Sequence, residues 1–348
     1  MAAAKVRSRL TSATRPADQP LRMKAIAVSR FGPPSALKLH QLPVPRPGPH
    51  EVLIELDTIG VGSWDASIRN GSWRKPGPAH FPLVPGTDGA GTVVAKGSRV
   101  RRFKVGDKVY AYEFGNRQGG FYAEFAVADA DHVGHVPRSL TLLQAGAVAT
   151  TGLTALQGIT ALKLRRGETV LIFGASGAVG TMAVQFAAQR GARVIATASG
   201  KQAQNLVRAL GADVVIDARA EIPAALRRAA PAQIDAVLAL AGGEELERCL
   251  DFVRTGGRVV HPNGIEPVPK PRPSLHIKSF DAVASPRAFA QLHRALAAKH
   301  IRVPVAATYP LGKAALRITA SVRAISSAGS PCTLVPSREP QRGALPRR

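Results

Sequence analysis

This sequence predicts an α/β chain of two domains, a small β-barrel joined to a doubly wound parallel sheet. Three observations carry that expectation. The first is length, since 348 residues at about 150 per domain suggest two domains. The second is a change of texture near residue 146, where short strand patterns give way to apolar strands alternating with helical stretches. The third is a glycine-rich turn set between one such strand and one such helix. Hydrophobic residues make up 45% and charged residues 20%, the balance of a globular chain. No uninterrupted apolar run approaches the roughly 20 residues of a membrane span. Cys249 and Cys332 are the only cysteines. That excludes a disulfide framework or a cysteine-rich zinc site, and a reducing, cytoplasmic setting is expected. The charge is unusual: 47 Lys and Arg against 23 Asp and Glu, a net of +24. At face value it points to an acidic partner such as nucleic acid or anionic lipid.

In chain order, residues 1–22 hold five basic residues and one acid, and residues 317–348 hold six arginines and one glutamate. Both ends lack sustained apolar periodicity and are expected to be poorly ordered, the first as a basic leader and the second as an atypical basic tail. The leader has a transit-peptide composition. Alternatively, the true start is Met23, where the strand pattern MKAIAVSRF opens. From there to about residue 145, strand runs at Val52–Leu56, Gly91–Ala95, Lys108–Tyr112 and Ala123–Ala128 are separated by Gly, Pro and Asp turn signals. Closely spaced strands of this kind suggest a barrel or sandwich. From Gly146 to about Leu275 the strands are Thr169–Phe173, Ala192–Thr197, Val214–Ile216, Ala236–Leu240 and Arg258–His261. Helical stretches at Val179–Arg190, Ala203–Leu210 and Glu244–Val253 come between them. Nearly continuous apolar strands alternating with helices mean a parallel sheet covered on both faces.

The strongest chemical signal is the turn Gly174-Ala175-Ser176-Gly177-Ala178-Val179-Gly180, directly after strand Thr169–Phe173. Glycine supplies the backbone freedom of a tight turn and keeps side chains away from an approaching pyrophosphate. The helix that follows aims its unpaired N–H groups and positive dipole end at the phosphates. A strand before and a helix after are the context that makes the motif specific. An NAD site usually carries an acid about 20 residues on, to bind the ribose hydroxyls. Here the strand ends in Ala198-Ser199-Gly200-Lys201. A cation and a hydroxyl suit a 2′-phosphate, so NADP(H) is expected in preference to NAD(H).

These residues stand among other ordered blocks. They are Met23-Lys-Ala-Ile-Ala-Val with Arg30-Phe-Gly-Pro-Pro34, Val61-Gly-Ser-Trp-Asp65 with Arg69 and Gly71, and Pro85-Gly-Thr-Asp-Gly-Ala-Gly91. Phe103-Lys-Val-Gly-Asp-Lys-Val109, Gly119-Gly-Phe-Tyr-Ala-Glu124 and Ala149-Thr-Thr-Gly-Leu-Thr-Ala155 follow. From Met23 to about Leu316 the chain resembles the zinc-independent quinone oxidoreductase branch of the medium-chain dehydrogenase/reductase superfamily. The resemblance implies a GroES-like catalytic barrel over 23–145 and 277–316, interrupted by a Rossmann NADP-binding domain over 146–276. It also implies NADPH-dependent reduction of quinones or α,β-unsaturated carbonyls, and a homodimer. Zinc-dependent relatives would carry a Cys near Gly62–Ser63 and a His-Glu pair near Thr87–Asp88; neither is present. His132 and His135 are expected at the surface, and no metal is expected.

By the same resemblance, Thr151 falls beside the nicotinamide and the Asn263–Gly264 loop crosses its carboxamide side. Tyr112 and Asn116 are expected to position substrate with Thr151, and Trp64, Tyr110 and Phe114 to wall the cleft. Their aromatic rings suit a flat acceptor. Asp65 and Arg69 are four apart, the spacing of an ion pair on a short helix. Tyr309 and Lys313 have the Tyr-x-x-x-Lys spacing of short-chain dehydrogenases, but Pro310 and Gly312 disfavour the helix it needs. The family pattern stops at Leu316, and codons permitted for Arg317 to Cys332 can spell a family-type ending in another reading frame. A reading-frame slip is the expectation there. A second class of function, a non-catalytic NADPH or RNA binder, stays open, although the basic residues form no aromatic-interleaved stripe and nucleic acid is not the expected partner.

Overall fold

A computed structural model describes residues 20–73, 77–116, 118–230, 233–298, 301–313 and 332–336. The N-terminal strands are β1 (Arg22–Ala27), β2 (Lys38–Pro43), β3 (Glu51–Val61), β4 (Asp88–Lys96), β5 (Lys108–Tyr112), β6 (Phe125–Asp129) and β7 (Val133–His135). Next come β8 (Thr169–Phe173), β9 (Arg193–Ala198), β10 (Val214–Asp217), β11 (Ile234–Ala239), β12 (Val253–Pro262) and β13 (Leu275–Phe280). The last two are β14 (Ala307–Pro310) and β15 (Cys332–Val335). β1 and β2 form an antiparallel pair. The barrel-side sheet runs β14-β15-β3-β4-β5-β7, with β6 also pairing β3. Its interior is filled by Ile26, Val52, Ile54, Val93, Val109, Phe121 and their neighbours.

The second sheet runs β10-β9-β8-β11-β12-β13, with every pairing parallel. Successive strands move outward from β8 in one direction and from β11 in the other. The order therefore reverses between β8 and β11, the place where open α/β sheets bind ligands at their carboxyl edge. Alternation along β8 sends Val170 and Ile172 into one helix-covered core and Leu171 and Phe173 into the other. Both faces are thus covered, which is why these strands read as continuous apolar runs.

A 20-residue helix, Leu142–Ala161, was not among the elements expected from sequence. It opens with a capping box in which the Thr141 hydroxyl accepts from the Gln144 N–H and the Gln144 side chain accepts from the Thr141 N–H. Its glycines mark close approaches. A Cβ on Gly146 would lie 2.7 Å from Thr58 of β3, and one on Gly158 would lie 3.0 Å from Leu238 of β11 and from Phe280 of β13. The helix is wedged between barrel and parallel sheet and buried nearly all round, so it carries no apolar stripe to betray its period.

Three expected boundaries fall inside elements of secondary structure. The junction placed between residues 145 and 146 falls inside this helix, which packs on both sheets. The junction placed between 276 and 277 falls inside β13, where His276 pairs with Arg258 and Phe280 with Pro262. The leader placed at 1–22 ends sooner, because Arg22 already belongs to β1. Helix Glu244–Leu250 is also shorter than expected, and Val253 opens β12. Residues 1–19 of the leader, and the tail apart from 332–336, lie outside the described residues. Within that tail Cys332–Val335 is a strand, not loose chain: Leu334 lies opposite Ile59 of β3 and Tyr309 of β14. Tyr309 itself is on a strand, so its spacing to Lys313 is not helical. Among the described residues no helix is long and apolar enough to cross a membrane.

Candidate active site

The glycine turn hangs from the carboxyl end of β8, next to the reversal of strand order. Gly174 has φ +84 and its N–H donates to the Thr197 hydroxyl at 2.8 Å, while the Ala175 N–H donates to the Thr197 carbonyl at 3.0 Å. Thr197 of β9 thereby clamps the turn. Gly177 is the N-cap of helix Ala178–Gln189, whose first intrahelical bond runs from the Thr181 N–H to the Gly177 carbonyl at 2.9 Å. The earlier N–H groups of that turn have no partner in the helix, the arrangement that holds anions at helix N-termini. Gly180 sits so close to the turn that a Cβ would lie 2.5 Å from the carbonyl oxygens of Gly174 and Ala175. Ser199 and Lys201 follow the end of β9, with Lys201 exposed at the start of helix Lys201–Ala209.

On the barrel side, helix Trp64–Asn70 delivers Trp64. The indole lies on Gly62, where any Cβ would collide with the ring at 2.1 Å, and its Nε1 donates to the Thr87 hydroxyl at 2.9 Å. Thr87 in turn stands 3.4 Å from the Thr150 hydroxyl, and the Thr150 N–H donates to Asp88 at 3.1 Å. Trp64 is thus coupled through Thr87, Asp88 and Thr150 to the long helix that carries Thr151. The Thr151 hydroxyl itself donates to the Ala147 carbonyl of its own helix at 2.9 Å.

Burial raises the Asp88 carboxyl to about 6 against the pull of the Thr150 and Thr87 hydrogen bonds. Asp65 is raised further, to about 7, again chiefly by burial. One Asp65 oxygen accepts from the Gly62 N–H at 2.8 Å and the Tyr122 hydroxyl at 2.8 Å. The expected Asp65–Arg69 pair is absent among the described residues: Arg69 Nε donates to the Gly32 carbonyl at 3.1 Å instead. Both side chains turn inward from the helix, so neither needs the other at the surface.

The structure separates the other expected cleft residues. Tyr112 lies at the end of β5, paired with Asp88. Its phenol is pushed up to about 12 by burial first, then by the negative charges of Asp88 and Asp281. Asp281, one of these charges, accepts from the Asn263 side chain at 2.8 Å. Tyr110 does not line a cleft. It shares the Tyr112 face of β5 but lies one step deeper, wholly buried and packed edge-on against Phe289 with ring centroids 5.0 Å apart. Asn116 is tied to β6 and to its own loop, donating to the Val127 carbonyl at 3.0 Å and accepting from the Gln118 N–H at 2.8 Å. Phe114 stacks on Trp73, centroids 4.3 Å apart and planes 14° from parallel. Trp73 was missed from sequence, as were Thr87 and Thr150; no local pattern marks residues whose role is to touch across elements. His132 is half-buried, and its hydrogen bond to Glu113 at 2.7 Å is the main reason its pKa is raised. His135 is exposed near Asp107.

Comparison with known proteins matches residues 48–138 to the alcohol dehydrogenase GroES-like domain and 178–264 to the zinc-binding dehydrogenase family. The quinone oxidoreductase of Mus musculus is 35% identical over 245 residues, covering 68% of this chain and 72% of the mouse protein. That of Lama guanicoe is 34% identical over 309 residues, covering 84% and 92%. The chain belongs to the quinone oxidoreductase branch of the medium-chain dehydrogenase/reductase superfamily. Among solved structures, AibC superposes with a TM-score of 0.81 at 30% identity over 91% of this chain and 96% of AibC. Mycobacterial Rv1454c complexed with NADPH gives 0.80 at 29% identity over 90% of this chain and 100% of the other. This reductase architecture pairs a GroES-like domain with a Rossmann-type parallel sheet, and the clamped glycine turn and the Trp64–Thr87 contact occupy its two halves.

Proposed function

We propose that the protein transfers a hydride from NADPH to quinones or α,β-unsaturated carbonyls without zinc. The observation that carries this reading is the glycine turn clamped by Thr197 at the carboxyl end of β8, beside the reversal of strand order in the parallel sheet. NADP(H), when bound, supplies the hydride from C4 of its nicotinamide. The unpaired N–H groups of the glycine turn hold the pyrophosphate, and Ser199 and Lys201 suit a 2′-phosphate. Thr151 and the Asn263–Gly264 loop flank the ring. Trp64, fixed by Thr87, gives a flat acceptor a rigid face. Reduction leaves negative charge on the acceptor oxygen, where a preorganised donor has most effect. The Tyr112 phenol, held at about 12, keeps its proton at neutral pH and can donate there. Solvent supplies the final proton. The NADPH complex of the mycobacterial relative and the names of the mouse and guanaco proteins support cofactor and acceptor class.

The donor set does not suit a zinc ion, which takes thiolate, imidazole or carboxylate ligands. Gly62 and Thr87 stand where such ligands would be needed, the Thr87 hydroxyl already accepts from Trp64, and the Asp88 carboxylate is held by Thr150. Among the described residues no three His, Cys, Asp or Glu side chains converge. The test is loss of nicotinamide absorbance with a small quinone and a small enone, using NADPH and NADH in parallel, before and after dialysis against a strong chelator. We expect turnover with NADPH that survives chelation. Absence of turnover, together with salt-sensitive RNA affinity at two ionic strengths, would favour the binder instead. The homodimer that the family implies is checked by light scattering.

A further inference from the structure

The end of the barrel away from Trp64 and Thr87 carries charge that the reductase reading leaves unused. Lys96, Arg99, Arg101, Arg102 and Lys104 stand in one loop, with no acid among residues 96–104. That loop leaves the carboxyl end of β4, whereas Asp88 opens the same strand. The two ends therefore lie roughly 25 Å apart at the rise of a strand. Backbone contacts hold the loop in place. The Gly97 N–H donates to the Glu51 carbonyl at 2.8 Å, and the Arg99 N–H to the Pro49 carbonyl at 2.9 Å. A Cβ on Gly97 would lie 2.0 Å from the Gly48 carbonyl oxygen, so the two turns are pressed together. Val100 is buried in the barrel core, which leaves Arg99 and Arg101 exposed on either side of it.

A cavity of about 230 Å³ opens between this loop, the turn before β3 and the single turn Ala130–His132 after β6. Its polar lining is His50, Arg99, Arg101, Arg102, Asp129 and Asp131. Arg102 is already engaged. It donates to the Ala130 carbonyl at 3.1 Å, pairs with Asp131 at 3.5 Å and lies 5.2 Å from the centroid of the Phe103 ring. One oxygen of Asp129 caps the turn, accepting from the Asp131 N–H at 2.8 Å. Arg99 and Arg101 make no ion pair among the described residues. Arg99 Nη1 stands 3.4 Å from Nε2 of His50, a guanidinium against an imidazole. Arg101 Nη1 donates to the Ser98 carbonyl at 3.4 Å.

We propose that this cavity is a second binding site, in which Arg99 and Arg101 hold one phosphate group beside His50. Neighbouring cations gain most from an anion placed between them, and the paired N–H donors of a guanidinium match phosphate oxygens. Asp131 neutralises Arg102, and Asp129 offsets only one of the two remaining arginines. The same two carboxylates disfavour a continuous polyanion. The site therefore suits a single phosphate group, on a small molecule or as inorganic phosphate. It lies apart from the glycine turn and does not depend on the cofactor reading.

Calorimetric titration of the full chain at fixed ionic strength tests this. Glycerol 1-phosphate, inorganic phosphate and a single-stranded oligonucleotide are titrated into the wild type and three variants. The variants are Arg99→Gln with Arg101→Gln, Arg101→Gln alone, and Lys38→Gln, which removes an exposed cation outside the cavity. The wild type is expected to bind one equivalent of phosphate, and the tighter of the two small ligands names its source. The double variant should lose about 10- to 100-fold in affinity, Arg101→Gln less, and Lys38→Gln nothing. Melting temperature and quinone turnover without phosphate should stay at wild-type values, since neither arginine touches the reductase site. If the double variant does not fold, Arg101→Gln gives the same reading. Failure of the wild type to bind phosphate overturns the proposal, and so does unchanged affinity in the arginine variants. An equal loss in Lys38→Gln also overturns it, as diffuse attraction by the net charge. An oligonucleotide held more tightly than glycerol 1-phosphate through the same arginines overturns the single-phosphate site.

Discussion

The indole N–H of Trp64 meets the hydroxyl of Thr87 at 2.9 Å, and this bond joins a short helix to the first residue before β4. Thr87 is 1% exposed, so its oxygen has no water to fall back on. Its neighbours on the other side are Asp88 and Thr150, each 3.4 Å away. Trp64 is consequently oriented by the helix that carries Thr151, although sixty or more residues separate them in the chain.

Thr87→Val keeps the shape and removes the acceptor. We expect unfolding free energy to drop by about 1 kcal/mol and kcat/KM for a quinone to fall several-fold, the size of one neutral hydrogen bond. Urea unfolding and steady-state kinetics measure the two effects. A variant with wild-type kcat/KM would remove Trp64 orientation from the mechanism.

Two glycines in the same turn should fail differently. A Cβ on Gly177 meets only the Gly174 carbonyl, at 3.4 Å, with φ at −68. Gly177→Ala should leave stability within about 0.5 kcal/mol of wild type yet weaken NADPH binding, because the methyl stands over the helix N-terminus. Gly180→Ala pushes a Cβ within 2.5 Å of two backbone carbonyls. It should destabilise the fold by about 1–3 kcal/mol. Thermal melts alongside cofactor titrations distinguish the two, and equal behaviour of the pair would contradict the geometry.

The buried carboxyls give stability a pH signature. Burial raises Asp65 to about 7 and Asp88 to about 6 in the folded state. The native protein thus holds protons that the unfolded chain releases above about 4. Stability from these groups is greatest below the unfolded pKa and is lost as pH rises through the folded one. Each alone contributes a slope of about 1.4 kcal/mol per pH unit in its window. Between pH 6 and 7 Asp65 dominates, so Asp65→Asn should flatten that part of the curve relative to wild type. Parallel urea-stability curves for the two proteins across this window would mean that Asp65 titrates normally.

Tyr110 tests the correction to the cleft. Among the described residues its buried hydroxyl has no hydrogen-bond partner, and burial holds its pKa well above the usual phenol value. Tyr110→Phe removes the unsatisfied group while keeping the ring on Phe289. Stability should stay level or rise by up to about 1 kcal/mol, with kcat/KM unchanged. A marked loss of turnover would return Tyr110 to the site.

What the sequence made legible follows from local physics. The glycine turn, strands β5, β8 and β9, and the apolar runs of the parallel sheet need only neighbouring residues and fixed periods. The long helix Leu142–Ala161 was hidden because burial on all sides erases the stripe that marks a helix. Tyr110 and Tyr112 look alike two residues apart on one strand, and only depth in the interface separates them. Phe114 was named for the cleft without Trp73, since their stacking joins separate loops.

By itself, then, the sequence determined a barrel-plus-parallel-sheet α/β fold, a dinucleotide-type turn at Gly174–Gly180, and a strand end without an acid at Ser199. Each is written within one strand–turn–helix unit. Only the tertiary structure decided that Asp65 turns to Tyr122 and Arg69 to Gly32, that Trp64 is held by Thr87, and that Arg219 lies along Gly200. Those contacts join residues from 19 to 57 positions apart. Their partners are set by strand register and helix packing, and no spacing along the chain encodes either.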